Sequence, residues 1–231
     1  MYMTLESENR AKEIREKVLR YSVDKSVPFA QMTANGLSMK AAQAVAKQYY
    51  PVNFAFPLFL AAAISHTPND VARVLLVDNL YEEHGSSKLE DSHTRLFEHF
   101  IRATGLNPDD CRVAPSGSPE EETVNQYNKF CFNGKQHQAL AVLYAFEELF
   151  SPISEAISQG LKKSNILPEK DFTFFPLHGV VDIEHASKLR QALLAVVTTD
   201  AEWTEALEAA TIGAKTLSTL FDAIAQNSSK S

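Results

Sequence analysis

Apolar positions recur along the chain at steps of three and four, the period of an α-helix, and nowhere alternate with period two for long. Residues 5–22 (LESENRAKEIREKVLRYS) predict a first helix with a polar face. A second is expected over 38–65, with Ser38 as candidate N-cap. Pro51 and Pro57 inside it should kink or break it, because proline removes an amide donor and crowds the preceding turn. Thr67-Pro68-Asn69-Asp70 reads as the next helix start, with Pro68 at the first helical position, and that helix runs to about His84. Gly85-Ser86-Ser87 interrupts the pattern, which resumes over 88–104. A loop over 114–119 leads into a helix ending at Phe132, closed by Asn133-Gly134. Residues 135–163 predict a long apolar helix with Pro152 inside it. Residues 165–176 read as irregular and aromatic, and helices over 178–197 and 200–225 finish the chain. No hairpin dipeptide, repeat or linker composition breaks this series. The expectation is an all-α protein with a single domain spanning 1–231.

Composition narrows the class. The chain has 231 residues, 45% hydrophobic and 22% charged, ordinary for a soluble globular protein. No apolar run approaches the roughly 18 residues of a membrane span. The start, MYMTLESENRAKEIREK, is charged and lacks the apolar stretch of a secretory leader. Two cysteines, Cys111 and Cys131, are too few for a disulfide framework. A cytoplasmic protein without membrane association is expected. A net charge of −7 with no basic run argues against a nucleic-acid partner. The lack of a glycine-rich phosphate loop argues against nucleotide chemistry.

Three segments carry candidate metal chemistry. In His178-x-x-x-Asp182-x-x-His185, steps of four and seven return to nearly the same helical face, so the three side chains can converge on one point. Glu147 sits in an otherwise apolar stretch, 139–150. A carboxylate facing the core there is costly unless paired or metal-bound, whereas on a solvent face it would join Glu148 as an ordinary surface charge. Glu82-Glu83-His84 and His93 flank the Gly85–Ser87 break. A step of ten lies about 80° off-face on a straight helix, so Glu83 and His93 meet only if the break bends the chain. Glu90 is a rival, since Glu90-x-x-His93 is the spacing used by di-iron bundles. Together the candidates make three imidazoles and three carboxylates without a thiolate. That set suits iron or manganese better than structural zinc. Two metals bridged by a carboxylate would balance the buried negative charge.

These stretches are also where the chain resembles a known family. AKQYYPVNFAFP (46–57), ARVLLVDNLYEEHG (72–85), His93 through GLNPDD (105–110), VLYAFEE (142–148) and HGVVDIEH (178–185) resemble the haem-oxygenase-like di-iron oxidases and oxygenases. These lie within the wider group that holds the TenA and PqqC proteins. The likeness is greatest to the CADD-type proteins, which make p-aminobenzoate, and it covers about Ala46 to Lys188. The resemblance implies a haem-oxygenase-like (TenA/PqqC-like) helical bundle and six metal ligands, Glu83, His93, Glu147, His178, Asp182 and His185. It implies two iron ions cycling between Fe2+ and Fe3+, manganese as an alternative occupant, and O2 as co-substrate. The expected substrate is a small, amino-acid-derived metabolite undergoing N-oxygenation, desaturation or C–C cleavage. An external reductant is implied, and a homodimer is expected.

The chain also departs from the CADD-type pattern. Its gap between the first glutamate and histidine is three residues longer, more like the N-oxygenating members. The tyrosine consumed in the CADD-type reaction falls on Ala30. The tyrosine before the bridging-type glutamate is Phe146, and the accompanying lysine falls in the lysine-free stretch 151–158. The expectation is therefore an enzyme that does not build p-aminobenzoate from its own tyrosine. The alternatives are a CADD-like synthase, a metal-independent TenA/PqqC-like enzyme relying on Cys111 or Cys131, and a partner-binding protein.

Overall fold

Helix starts in this protein follow cap chemistry. The side chains of Ser26, Ser38, Asn69, Asn107 and Ser118 each accept a hydrogen bond from an amide two or three residues on. Each satisfies a donor that a helix N-terminus leaves open. The structure, a computed structural model, describes residues 5–229. Residues 1–4 and 230–231, the ends of the expected domain and the start of the segment read as lacking a leader, lie outside them.

Among the described residues there are ten α-helices and no strand. They are α1 (Leu5–Leu19), α2 (Val27–Ala34), α3 (Met39–Ser65), α4 (Asp70–Glu83), α5 (His93–Ala103), α6 (Pro108–Cys111), α7 (Pro119–Asn133), α8 (Gln136–Ser164), α9 (Phe174–Val196) and α10 (Asp200–Ser229). No helix is long and apolar enough to cross a membrane among these residues. The apolar run read from the sequence makes α8 the central element. Every side chain from Ala139 to Glu147 is buried, as expected of a helix that is hydrophobic all round. It packs chiefly against α9 and α10, while α4 lies on α9 and α3 lies against α4, α7 and α10.

Several expectations need correction. Of the kink or break expected at Pro51 and Pro57, the break does not occur, and helix α3 runs on through both. Each proline costs about 3 kcal/mol inside a helix. Tyr49, Tyr50, Val52, Phe59 and Leu60 are all essentially inaccessible, and burial at about 1.5–3 kcal/mol per large side chain outweighs that cost. Pro68 precedes the cap rather than opening α4, because Asn69 takes the cap position. Helix α5 begins at His93, not at residue 88, because 89–91 form a 3-10 turn. Helix α9 begins at Phe174, a turn earlier than expected, and Pro176 fits its first turn, where no intrahelical amide is needed. Helices α2 and α6 lie in stretches given no element from the sequence.

Candidate metal centre

Four helices each bring part of the set to one place. Glu83 is the last residue of α4, His93 the first of α5, Glu147 lies mid-way along α8, and His178, Asp182 and His185 line one face of α9. All six are buried, none more than 5% exposed. The bend that reunites Glu83 with His93 is built from three consecutive left-handed residues, Gly85, Ser86 and Ser87, with φ of +66°, +51° and +75°. At Gly85 a Cβ would stand 2.6 Å from the Asp91 carbonyl carbon and the Ser92 nitrogen. The space therefore requires glycine, and the backbone angle favours it. Gly85→Ala is expected to destabilise the protein by about 1–3 kcal/mol and to weaken metal uptake by moving His93 off Glu83. Denaturant unfolding and metal titration of the variant check this, and a wild-type unfolding midpoint would refute it.

The donor atoms face one another without hydrogen-bonding. His93 Nδ1 lies 3.0 Å from Glu83 Oε1, yet the contact lacks hydrogen-bond geometry and the nitrogen has no partner. His185 Nδ1 lies 3.5 Å from Glu147 Oε1, 3.9 Å from Asp182 Oδ1 and 4.0 Å from Glu83 Oε1, also without a partner. Both oxygens of Asp182 are orphaned. Two groups of three bring one donor atom from each residue within 4.8 Å of one another: Glu83, His93 and His178, and Glu83, Glu147 and His185. Glu83 is common to both groups, a place the resemblance had suggested for Glu147. Asp182 borders the second group through His185. Glu90, the rival carboxylate, is exposed in the turn before α5 and belongs to neither group.

Neighbouring groups fix the ring orientations. The Nδ1–H of His178 donates to the Phe174 carbonyl at 2.7 Å, leaving Nε2 as the free lone pair. The Nε2–H of His185 donates to Glu82 Oε2 at 2.7 Å, so Nδ1 is the nitrogen turned to the carboxylates, available to a metal once it gives up its proton. Glu82 is itself held by Lys188, whose Nζ also reaches Asp78 and Glu184. Asn79, one turn before Glu83 on the same face, donates to Glu147 Oε1 at 3.3 Å. Glu82 and Asn79 carry no role in the sequence pattern alone. Asn79-x-x-x-Glu83 was a readable spacing. The Glu82 role depends on where α9 sits, which no local pattern reports.

Electrostatics shows what the site lacks. Burial, reinforced by Glu147 and Glu83, pushes the Asp182 carboxyl well above the ordinary range. Burial would also raise Glu83, but the imidazoles of His93, His178 and His185 outweigh it and hold the group at about 2. Burial and His93 bring His178 down to about 3. Burial opposes protonation of His185, but Glu147, Glu83 and Glu82 overcome it and raise the group to about 9. Three carboxyl groups thus share a buried space in which His185 is the group raised into its charged form, and among the described residues no lysine or arginine pairs with them. Desolvated charge of that kind needs compensation. Two divalent cations would set four positive charges against three negative ones, and donors of nitrogen and oxygen without sulfur suit iron or manganese. The residues fit such a pair.

Glu82→Gln removes the charge that orients His185 while keeping its shape. Metal affinity is expected to fall about ten- to hundredfold, as for other carboxylate partners of metal-binding histidines. A competitive metal titration checks it, and unchanged affinity would show that Glu82 serves only the surface network with Lys188.

Comparison with known proteins gives a consistent picture. A family model described as iron-containing redox enzyme matches residues 43–217. The chain is 27% identical over 178 residues to the 4-aminobenzoate synthase of Chlamydia trachomatis, covering 75% of this chain and 74% of that protein. It is 24% identical over 170 residues to the Chlamydia pneumoniae 4-aminobenzoate synthase, with 73% and 75% covered. Among solved structures, a CADD-like protein of unknown function from Nostoc punctiforme superposes with a TM-score of 0.76 at 19% identity, covering 98% of this chain and all of that one. A TenA homologue from Pseudomonas syringae gives 0.73 at 18% identity, with 96% and 91% covered. Those two likenesses establish the fold.

Proposed function

The chain belongs to the family of iron-containing redox enzymes with the haem-oxygenase-like fold, and we propose that it is an O2-dependent non-haem di-iron oxidase or oxygenase acting on a small, amino-acid-derived metabolite. One observation carries the reading: two buried three-residue donor sets share Glu83, and in each a histidine nitrogen, His93 Nδ1 in one and His185 Nδ1 in the other, lacks a hydrogen-bond partner. Glu83, His93, Glu147, His178, Asp182 and His185 would hold the metals. Iron bound there would supply O2 activation. The chain's own part is to fix the imidazole lone pairs through Phe174 and Glu82 and to keep water from the reacting atoms. In an N-hydroxylation one oxygen atom of O2 enters the N–H bond and the other leaves as water, with two electrons and two protons drawn through an external reductant. The test is anaerobic loading with ferrous iron followed by metal analysis. Roughly two irons per chain are expected, and a content well below one would sink the reading.

A second reading, 4-aminobenzoate (p-aminobenzoate) synthesis as in the chlamydial relatives, is favoured by Tyr49. Its buried hydroxyl is pushed well up by burial and by the charges of Asp182, Glu83 and Glu147. Ala30 counts against it, because it lies exposed on α2. A metal-independent thiol enzyme is disfavoured, since Cys111 and Cys131 are both buried and burial raises both thiols. Thiolate, the reactive form, is scarce in such surroundings.

A further inference from the structure

A cavity of about 620 Å³ opens between α1, α8 and α9, within the range of about 300–1,000 Å³ that holds small-molecule ligands. Its inner end is formed by Glu147 and Asp182, so it leads to the candidate metal centre. Asp182 is fully buried and both its oxygens lack partners. Along α9 the wall follows steps of four, Asp182, Ala186 and Arg190. Eight residues place Arg190 about 12 Å along the axis from Asp182, and a helical side chain leans back towards the N-terminus, here towards Asp182.

Two guanidinium groups border this cavity, in unlike states. Arg15 is exposed and already paired, its Nε donating to Glu148 Oε1 at 2.8 Å. The other oxygen of Glu148 accepts from the Tyr144 hydroxyl at 3.0 Å. Arg190 is half-buried beside that hydroxyl, and among the described residues no carboxylate pairs with it. Arginine stays charged at any accessible pH. A half-buried cation with no carboxylate at ion-pair distance, two turns of helix from the candidate metal ligands, can receive an anion, and its planar fork matches a carboxylate.

We infer that this cavity binds the substrate and that Arg190 anchors it by a carboxylate, so that the substrate class is a small carboxylic acid whose far end reaches Glu147 and Asp182. The inference rests on the metal-centre reading for its reaction, but not for its binding. Ile183, Pro152 and Leu19 give the apolar part of the wall along which the body of the acid would lie.

The test is calorimetric titration of the metal-free and the iron-loaded protein. The probes are the proteinogenic L-amino acids and straight-chain carboxylic acids, each beside its methyl ester. At least one acid is expected to bind, with its ester weaker by about tenfold or more. Which series responds distinguishes an amino acid from an aliphatic acid. Arg190→Gln should weaken the acid by a similar factor without changing iron content or melting temperature. Arg190→Lys should recover part of the loss, keeping the charge but not the fork. If Arg190→Gln does not fold, the acid-to-ester ratio of Arg190→Lys carries the comparison and should shrink. The inference is overturned if no acid binds, if acid and ester bind alike, or if a folded Arg190→Gln protein binds as wild type. Acid binding by a protein that takes up no iron would leave it standing while the di-iron reading fell. Iron uptake without acid binding would do the reverse.

Discussion

Glu83→Ala is expected to take the protein from roughly two irons per chain to little or none, the largest effect of any single change in the site. Glu83 is the one residue in both donor groups, so its loss opens both positions. The His93 nitrogen 3.0 Å away then has no carboxylate to share a cation with. His178→Ala should be milder and empty chiefly the group it forms with Glu83 and His93. Glu90→Ala, in an exposed turn, should bind iron as wild type and consume O2 at the wild-type rate. Metal analysis and stopped-flow O2 consumption of the three variants give the ranking. If Glu90→Ala lost iron and Glu83→Ala kept it, the di-iron bundle spacing Glu90-x-x-His93 would replace the present assignment. A uniform partial loss in all three would point to a generally weakened fold, which their unfolding midpoints would reveal.

The parts of this arrangement that could be read from the sequence were those governed by helical period. His178, Asp182 and His185 share a face because steps of four and seven do so on any helix, and α9 presents them together. Glu147 was ambiguous, core ligand or surface charge. The structure resolves its position, because α8 is buried on all sides there and only Glu148 reaches Arg15 at the surface. Glu83 and His93 could be joined only conditionally, since their meeting depends on how the chain turns. Three left-handed residues and a 3-10 turn do that work, and sequence pattern signals such a break without its direction. The reading failed where tertiary packing overrode local preference. The two prolines of α3 are absorbed by burial, and α9 starts upstream of Pro176 because a proline in a first turn breaks no bond. The contact of Glu82 with His185 spans 103 residues, beyond the reach of any local spacing rule.

Iron-loaded protein supplied with O2 and reductant but no substrate is expected to keep its intact mass and release no 4-aminobenzoate. With its substrate it should turn over many times per chain. A self-consuming reaction must spend a tyrosine ring, and the resemblance puts Ala30 and Phe146 where the CADD-type proteins carry tyrosines. Ala30 has no ring and lies exposed on α2. Phe146 lacks the hydroxyl and is stacked on Phe56 at 4.3 Å and Phe150 at 5.3 Å. Several other tyrosine hydroxyls are hydrogen-bonded elsewhere, those of Tyr81 and Tyr127 to the Ser86 and Gly213 carbonyls. The Tyr50 hydroxyl donates to Glu98 at 2.7 Å and that of Tyr144 to Glu148. Tyr49 is the test case, since its buried hydroxyl is pushed well up by burial and then by the charges of Asp182, Glu83 and Glu147. Its ring stacks on Phe150 at 4.7 Å and meets Phe97 and Phe221 at 5.3 and 5.5 Å. Removing a ring from such a cluster leaves a cavity costing about 3–5 kcal/mol, a large share of the stability of a folded domain. Oxidising equivalents are therefore expected to pass to a diffusible molecule in the cavity beside Glu147 and Asp182. Intact-mass measurement and an assay for 4-aminobenzoate, on the wild type and on Tyr49→Phe, decide the matter. Release of 4-aminobenzoate near one equivalent, with matching mass loss in the wild type and neither in Tyr49→Phe, would make Tyr49 the substrate and reverse the assignment.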